Sequence, residues 1–156
     1  MLDIENLGLI GVFIAGAIPW MEAIAVVPGG IALGLNPIAT VLAAVIGNAI
    51  TIFIFAFLSN SIRQKIINRR ISKGKSGDSA KFEKALKAFD KYGIYGMAFL
   101  GPILIGTQFA AAASVAAGVK PLRASILITL SMAAWAGLIA IIMMAFDINF
   151  EVFQER

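Results

Sequence analysis

One acidic residue, Glu22, lies deep inside an apolar segment of the sequence. It belongs to the stretch IPWMEAIAVVPGGIALGLNP, residues 18–37, which is also rich in proline and glycine. A charge at the middle of a bilayer costs about 2.5–3.5 kcal/mol on insertion scales, so such residues usually face a cavity and serve a function. Glu22 is therefore a candidate for binding a cation or a proton, or for neutralising a cationic cargo. The structural alternative is a protonated, hydrogen-bonded carboxyl that holds two hairpins together.

Three uncharged polar side chains are the candidates that accompany Glu22 in a substrate or ion site. Asn48 interrupts the apolar segment 37–58, and Thr107 and Gln108 follow a Gly-Pro pair in a later apolar block. An amide in a membrane span most often bonds to a neighbouring helix, which is the alternative for Asn48. Glycines favour turns and prolines remove backbone donors, so both mark candidate hairpin turns. These are Pro19, Pro28, Gly29, Gly30, Gly101 and Pro102.

Two residue types that carry much of protein chemistry are missing from the sequence, which has no cysteine and no histidine. Disulfides, thiolate metal sites and cysteine nucleophiles are therefore excluded. Histidine relays, serine–histidine triads and the usual zinc sites are excluded as well. A single carboxylate without a partner forms no recognisable catalytic set. We expect no enzyme activity, no metal site and no cofactor.

The composition predicts an integral membrane protein. Of the 156 residues, 60% are hydrophobic and the mean hydropathy is +0.89, whereas soluble domains run nearer 45–50% apolar. A soluble domain of this size would leave its apolar blocks exposed. The N-terminal sequence MLDIENL holds two acids and no base, unlike a secretory signal. We expect the membrane segments themselves to direct insertion into the cell membrane.

The first apolar block, residues 7–35, does not fit one ordinary span or two. As one helix it would be about 42 Å long, more than the roughly 30 Å hydrocarbon core, and two spans would need about 20 residues each. Two half-length legs, 7–18 and 23–33, fit better, with a turn near Pro19 or at Pro28-Gly29-Gly30. The segment 37–58 follows as a full span, with a proline at its first turn.

A basic connector, residues 59–91, separates the first two apolar segments from the rest. Ten of the thirteen Lys and Arg residues lie between Arg63 and Lys91. Ile62, Ile66 and Ile67 suggest a helix running along the membrane surface, and SKGKSGDS, residues 72–79, is typical of a flexible break. A second helix is predicted from Asp78 or Ser79 as its cap, either interfacial on anionic lipid or solvated and packed on the bundle. Nucleic acid is not an expected partner, since such loops are ordinary topogenic signals.

The order of elements occurs twice in the sequence. A second interrupted apolar block, 94–118, is followed by a final span, 121–146, and the junctions GLNP and GVKP match. We therefore predict one all-α integral membrane domain, 1–156. It would be an inverted repeat of a re-entrant helical hairpin plus a transmembrane helix, with repeats 7–58 and 94–146.

The positive-inside rule orients this arrangement. With the connector 59–91 cytoplasmic, Lys120 and Arg123 fall inside as well, and the acidic termini, with Asp3, Glu5, Asp147, Glu151 and Glu155, fall outside. Only Arg156 among the basic residues is then external. The competing model has four ordinary spans and both termini inside. It leaves Lys120 and Arg123 outside and places Glu22 in a lipid-facing helix.

Two stretches of the sequence resemble the DedA superfamily, in particular its branch of small multidrug export proteins. EAIAVVPGG, residues 22–30, is similar to the family's glutamate followed by a Pro-Gly turn. YGMAFLGPILIGTQFAAAASVAAG, residues 95–118, is similar to its glycine, aromatic, proline and Ala-Gly pattern. The resemblance implies opposed re-entrant hairpins, each followed by a span. It also implies transport of lipid-like cargo such as polyprenyl phosphates or phospholipids, often dependent on ion gradients.

The sequence departs from the superfamily at two points. DedA proteins typically carry arginines just after the second-hairpin proline, suited to a phosphate group, but residues 103–117 hold no positive charge. The acid that often accompanies the first Pro-Gly is also missing, because Gly30 stands there. Both departures weaken a phosphate-carrier reading.

Three functions are compatible with the sequence. The first is a small transporter of a small or lipid-like cargo, coupled to protons or sodium through Glu22, with Asn48, Thr107 and Gln108 assisting. The second is a lipid scramblase-like protein, and the third is a non-transporting membrane assembly protein. A channel also fits the pattern. Membrane lipid is an expected partner, and so is a second copy of the chain in a homodimer, because so small a bundle can hardly shield two hairpins from lipid.

Overall fold

The computed structural model describes residues 4–75 and 78–146, apart from the side chains of residues 4 and 5. Within these residues the chain forms α-helices and no strand, which confirms the all-helical prediction for the described part. The terminal acids and Arg156 used in the orientation argument lie outside the described side chains. The helices are α1 (Ile4–Ala17), α2 (Ala23–Ala32), α3 (Pro37–Phe57), α4 (Ser59–Ile71), α5 (Ala80–Leu104), α6 (Thr107–Ala116) and α7 (Pro121–Ala145).

The chain divides into two compact units. The first unit comprises 1–50 and 132–156, and the second comprises 51–131. In the first unit α1 packs against α2, and in the second unit α6 packs against both α5 and α4. The predicted boundaries of the two repeats, 7–58 and 94–146, stay a prediction.

In the described part of the chain, two helices, α3 and α7, are long and apolar enough to cross a membrane. Their most apolar stretches are only 33% and 28% buried within the protein. The core helix of a soluble protein would be mostly buried, so these helices present apolar surface outward, as lipid-facing helices do. The two predicted spans, 37–58 and 121–146, are therefore confirmed as long apolar helices.

The remaining apolar helices of the first unit are short. α1 is about 21 Å long and α2 about 15 Å at 1.5 Å per residue, both less than the roughly 30 Å hydrocarbon core. The chain between them turns at residues 18–22, where Trp20 has a φ of 79° and the N–H of Met21 donates to the carbonyl of Ile18. The half-length legs therefore exist as helices, with Pro19 in the turn.

The other predicted turn residues of the first hairpin lie elsewhere. Pro28, Gly29 and Gly30 are inside α2, where a proline φ near −65° fits the helix at the loss of one backbone hydrogen bond. A β-carbon on Gly30 would lie 2.5 Å from Cγ2 of Thr40 and 3.0 Å from Cγ2 of Val12. Gly30 thus permits close packing of α2 and does not form a turn.

In the first unit α1 approaches α3 backbone to backbone. A β-carbon on Gly16 would lie 2.5 Å from the carbonyl oxygen of Ala44, and one on Gly47 would collide with the carbonyl of Phe13. Such contacts between small residues let helices pack without large side chains between them. The glycines therefore fix the position of α1 on the face of α3 that carries Asn48.

The basic connector is helical on both sides of its break. Its second helix begins at the N-cap Ser79, whose hydroxyl accepts the N–H of Phe82 at 3.2 Å, as one of the predicted caps requires. Phe82 and Ala85 are buried, which favours the packed alternative over a purely interfacial helix. α5 bends at Gly93, where φ is 63°. The apolar block 94–104 starts after that bend.

The second hairpin turns later than predicted. Gly101 and Pro102 lie in the last turns of α5, and the chain reverses at Ile105 and Gly106, where φ of Gly106 is 100°. A β-carbon on Gly101 would lie 2.7 Å from that of Ala110 on α6. Gly101 is therefore needed for the close approach of α5 and α6, and Gly106 supplies the turn.

Candidate functional site

In the first unit, Glu22 occupies the N-terminal end of α2. Its backbone is extended, with φ −69° and ψ 145°, and its carbonyl accepts the N–H groups of Ala25 and Val26 at 2.9 and 3.1 Å. The residue is half-buried, and its Oε2 atom is fully buried. The N-terminal end of a helix carries a partial positive charge that stabilises an anion. Glu22 therefore combines a buried carboxyl oxygen with the N-terminal end of a helix.

A polar stripe follows the buried face of α3. Thr40 and Asn48 are fully buried and Thr51 is 8% exposed. The spacings of eight and three residues place all three on one side of a helix with 3.6 residues per turn. Asn48 directly follows Gly47, where a β-carbon would collide with the backbone of α1.

In the second unit, Thr107 and Gln108 are the first two residues of α6. Both are buried, with Thr107 fully inaccessible and Gln108 2% exposed. The Nε2 of Gln108 donates a hydrogen bond of 3.3 Å to Oγ1 of Thr51 on α3. The amide thus ties the start of α6 to the second unit's part of α3.

The structure assigns the four predicted site residues to two places. Glu22 and Asn48 lie in the first unit, and Thr107 and Gln108 lie side by side in the second. The sequence-based prediction assigned no role to Thr51 or Thr40. The helical spacing of Thr40 and Thr51 relative to Asn48 could have indicated that the three residues share one face. The hydrogen bond from Gln108 to Thr51 could not be predicted in this way, because the two residues are far apart in sequence.

The short helices α2 and α6 end in the same backbone motif. In α2 the N–H of Leu35 donates to Gly30 and that of Gly34 to Ile31, with φ of Gly34 at 80°. In α6 the N–H of Val119 donates to Ser114 and that of Gly118 to Val115, with φ of Gly118 at 100°. Both are Schellman motifs, which glycine favours because it adopts positive φ without strain. Each is followed by a proline that opens a long helix, Pro37 or Pro121.

A charged contact outside the apolar helices stabilises the connector. Arg63 on α4 donates through Nε and Nη2 to both carboxylate oxygens of Asp78, at 2.9 and 2.6 Å. The hydrogen bond from Arg63 lowers the pKa of Asp78, and the same bond raises the pKa of Arg63. The guanidinium also lies 5.1 Å from the ring centre of Phe82. These contacts hold α4 to the start of α5.

Among the described residues, no three Asp or Glu side chains come together in a group that could hold a metal ion. The acidic and polar groups described above are the candidates for binding.

Comparison with known proteins identifies a family model that covers most of the chain. The model of a family described as "Putative small multi-drug export protein" matches residues 22–147, most of the chain. The matched region begins at Glu22 and includes α2 to α7. No curated protein and no solved structure matches the chain significantly.

Proposed function

The chain belongs to the small multidrug export family, and on that premise we propose that it is a small integral membrane transporter of the DedA-like type. Its cargo would be a small or lipid-like molecule, moved with the help of a proton or sodium gradient. The observation that carries this proposal is Glu22, whose Oε2 is buried at the N-terminal end of a half-length helix. An ionisable group in such a position is energetically costly, and intramembrane groups of this kind usually serve binding or coupling.

Glu22 is the proposed coupling residue. The ionised carboxylate binds a proton or a sodium ion, or the positive charge of a cationic cargo. Once a proton or another cation has neutralised the carboxylate, the group no longer attracts a further cation. The same carboxyl can therefore bind and release a cation in turn. The N-terminal end of α2, with its partial positive charge, lies beside this carboxyl.

Asn48, Thr107 and Gln108 are proposed to assist by offering uncharged polar contacts to the cargo or ion. All three are buried on helices of apolar sequence, where an amide or hydroxyl gives orientation without adding charge. Residues 103–117 carry no positive charge. A cationic or neutral cargo therefore suits these groups better than a free phosphate does.

The proposed architecture is a single membrane domain made of two inverted repeats. The short helices α1, α2 and α6 are too short to cross a bilayer alone, and re-entrant hairpins followed by spans use such helices. The matching ends of α2 and α6 support a repeated unit. In this arrangement the connector 59–91 is cytoplasmic. The functional form is proposed to be a homodimer in the cell membrane, without enzyme activity, cofactor or nucleic-acid partner.

Transport of a cationic dye into liposomes tests the role of Glu22. The purified protein is reconstituted, a proton or sodium gradient is imposed, and ethidium movement is followed by fluorescence. We expect Glu22→Gln to abolish gradient-driven movement. Glu83→Gln removes a carboxylate from the exposed face of the connector helix and should leave the rate unchanged.

Other outcomes of the same assay would contradict the proposal. Flipping of a fluorescent phospholipid that is equal in wild type and Glu22→Gln, without coupled ethidium movement, would indicate a scramblase. If the wild type showed neither lipid flipping nor ethidium movement, the result would indicate an assembly protein. Equal ethidium transport by both variants would remove Glu22 from the mechanism.

A further inference from the structure

A pair of basic side chains and a tyrosine meet at the start of α7, in the second unit. Nη2 of Arg123 donates to the hydroxyl of Tyr95 at 3.2 Å, and its guanidinium carbon lies 5.9 Å from the Tyr95 ring centre. Lys120 lies three residues before Arg123, just ahead of Pro121. All three side chains are exposed. The tyrosine thus holds one guanidinium edge while the other donors stay available.

These residues form the rim of a groove of about 380 Å³. Its floor is apolar and is made by Leu122, Ile126 and Leu127 of α7. A groove with two cations at one end and aliphatic side chains along its length matches an amphipathic anion. A small inorganic anion would use only the rim.

The surfaces that continue from the groove are apolar and exposed. On α5, Phe99 and Ile103 follow Tyr95 at intervals of four residues, and on α7, Leu130 follows Ile126 at the same interval. Intervals of four residues keep side chains on one helical face. Tyrosine and long basic side chains are characteristic of the membrane–water boundary, where an apolar body and a polar end are both satisfied.

We infer that this groove binds one anionic phospholipid. Its phosphate would be held by Lys120 and the free donors of Arg123, and an acyl chain would lie along Leu122, Ile126 and Leu127. The groove lining contains no acidic side chain, so charge complementarity selects an anionic head group over a zwitterionic one. The inference is independent of transport by Glu22, which lies in the other unit.

Lipid binding is measured on the purified full-length protein by native mass spectrometry. The probes are phosphatidylglycerol and phosphatidylcholine with identical acyl chains. A basic residue near an anionic lipid surface contributes about fivefold in affinity, so we expect the double variant Lys120→Ala/Arg123→Ala to lose about 20- to 30-fold for phosphatidylglycerol. The matched double variant Lys73→Ala/Lys75→Ala, on the connector, removes the same charge and should lose less than about twofold.

Two further measurements keep the test decisive if the double variant is poorly folded. Tyr95→Phe keeps the aromatic ring and removes the hydroxyl that holds Arg123, and a loss of about twofold or more is expected. Raising the salt concentration should weaken phosphatidylglycerol binding to the wild type, since exposed charges are screened.

The inference is overturned by equal binding of the two lipids or by equal losses in the two double variants. Insensitivity to salt would also overturn it. Displacement of phosphatidylglycerol by millimolar inorganic phosphate would show that the rim takes a free phosphate and that the apolar floor is irrelevant.

Discussion

The short helices α2 and α6 end alike and begin differently. Both are followed by a glycine of positive φ and then by a proline that opens a long helix. At its start, α2 carries the carboxylate of Glu22, whereas α6 starts with Gly106, Thr107 and Gln108. When Pro37 is matched with Pro121, Glu22 falls opposite Gly106, so the sequence places an acid at only one of the two helix starts.

The difference separates architecture from chemistry. The shared ends satisfy backbone hydrogen bonds and redirect the chain, which any repeat of this kind requires. The N-terminal ends of α2 and α6 carry the polar side chains, and a helix has a partial positive charge at that end. The shared ends thus serve the change of chain direction, and the different starts are where the proposed binding groups lie.

The largest effect on stability is expected where glycine contacts backbone. Gly47→Ala places a methyl against the carbonyl of Phe13, which cannot move without separating α1 from α3, and should cost about 3 kcal/mol. Gly101→Ala meets only the methyl of Ala110 and should cost about 1–2 kcal/mol. Unfolding in mixed SDS micelles measures both. Gly137→Ala, with open space around its β-carbon position, is the control, and equal losses in all three would contradict the packing account.

Much of this architecture was predictable from local sequence, and some was not. The proline starts of α3 and α7 and the cap at Ser79 follow from residue type and position. The sequence predicts the first turn near Pro19 or at Pro28-Gly29-Gly30, and the second at Gly101-Pro102, because proline and glycine commonly break helices. The first alternative, near Pro19, is where the chain turns. Gly30 and Gly101 instead allow close helix packing, and only a tertiary structure distinguishes that use of glycine from a turn.

The two matching helix ends should respond equally to substitution. Gly34→Ala and Gly118→Ala each force a β-carbon into a left-handed conformation, with φ of 80° and 100°, and should each cost about 1–2 kcal/mol. Gly29→Ala, at a helical position with open space, should cost nothing or stabilise. A loss at only one of the two junctions would show that the ends are not equivalent.

The bond specific to the start of α6 should contribute less. Gln108→Leu and Thr51→Val each remove one partner of the 3.3 Å hydrogen bond. A double-mutant cycle should give a coupling energy of about 1 kcal/mol. Pairing Gln108→Leu with Thr129→Val, on α7, provides a control cycle. A coupling near zero for Gln108 and Thr51 would contradict a structural bond between them.

This bond also shows what the sequence could not supply. The candidates Thr107 and Gln108 were identified because polar residues are rare in apolar segments. Thr51, the partner of Gln108 on α3, was not identified, because a pairing across 57 residues depends on how α6 packs. Likewise, the burial of Oε2 of Glu22 depends on tertiary packing and not on the local sequence.

The smallest effect on stability is expected at the Arg63–Asp78 pair of the connector. Asp78 has a lowered pKa through its bond from Arg63. Its contribution is therefore complete above the unfolded pKa of about 3.9 and is lost as the pH falls through the folded pKa. Because Arg63 is partly exposed, the pair should contribute at most about 1 kcal/mol. In the Asp78→Asn variant, stability should no longer fall through this pair when the pH is lowered. In the Asp90→Asn variant, the fall in stability should be the same as in the wild type.

Side-specific labelling tests the central claim of opposed re-entrant hairpins most directly. The chain contains no cysteine, so single cysteines can be placed at Asn36, Lys75 and Ala117, which are all exposed. Intact cells are treated with a maleimide that does not cross the membrane. We predict that the cysteine at position 36 is labelled and that those at 75 and 117 are labelled only after the membrane is opened. Labelling of position 117 from outside, together with position 36, would indicate four ordinary spans and would contradict the hairpins.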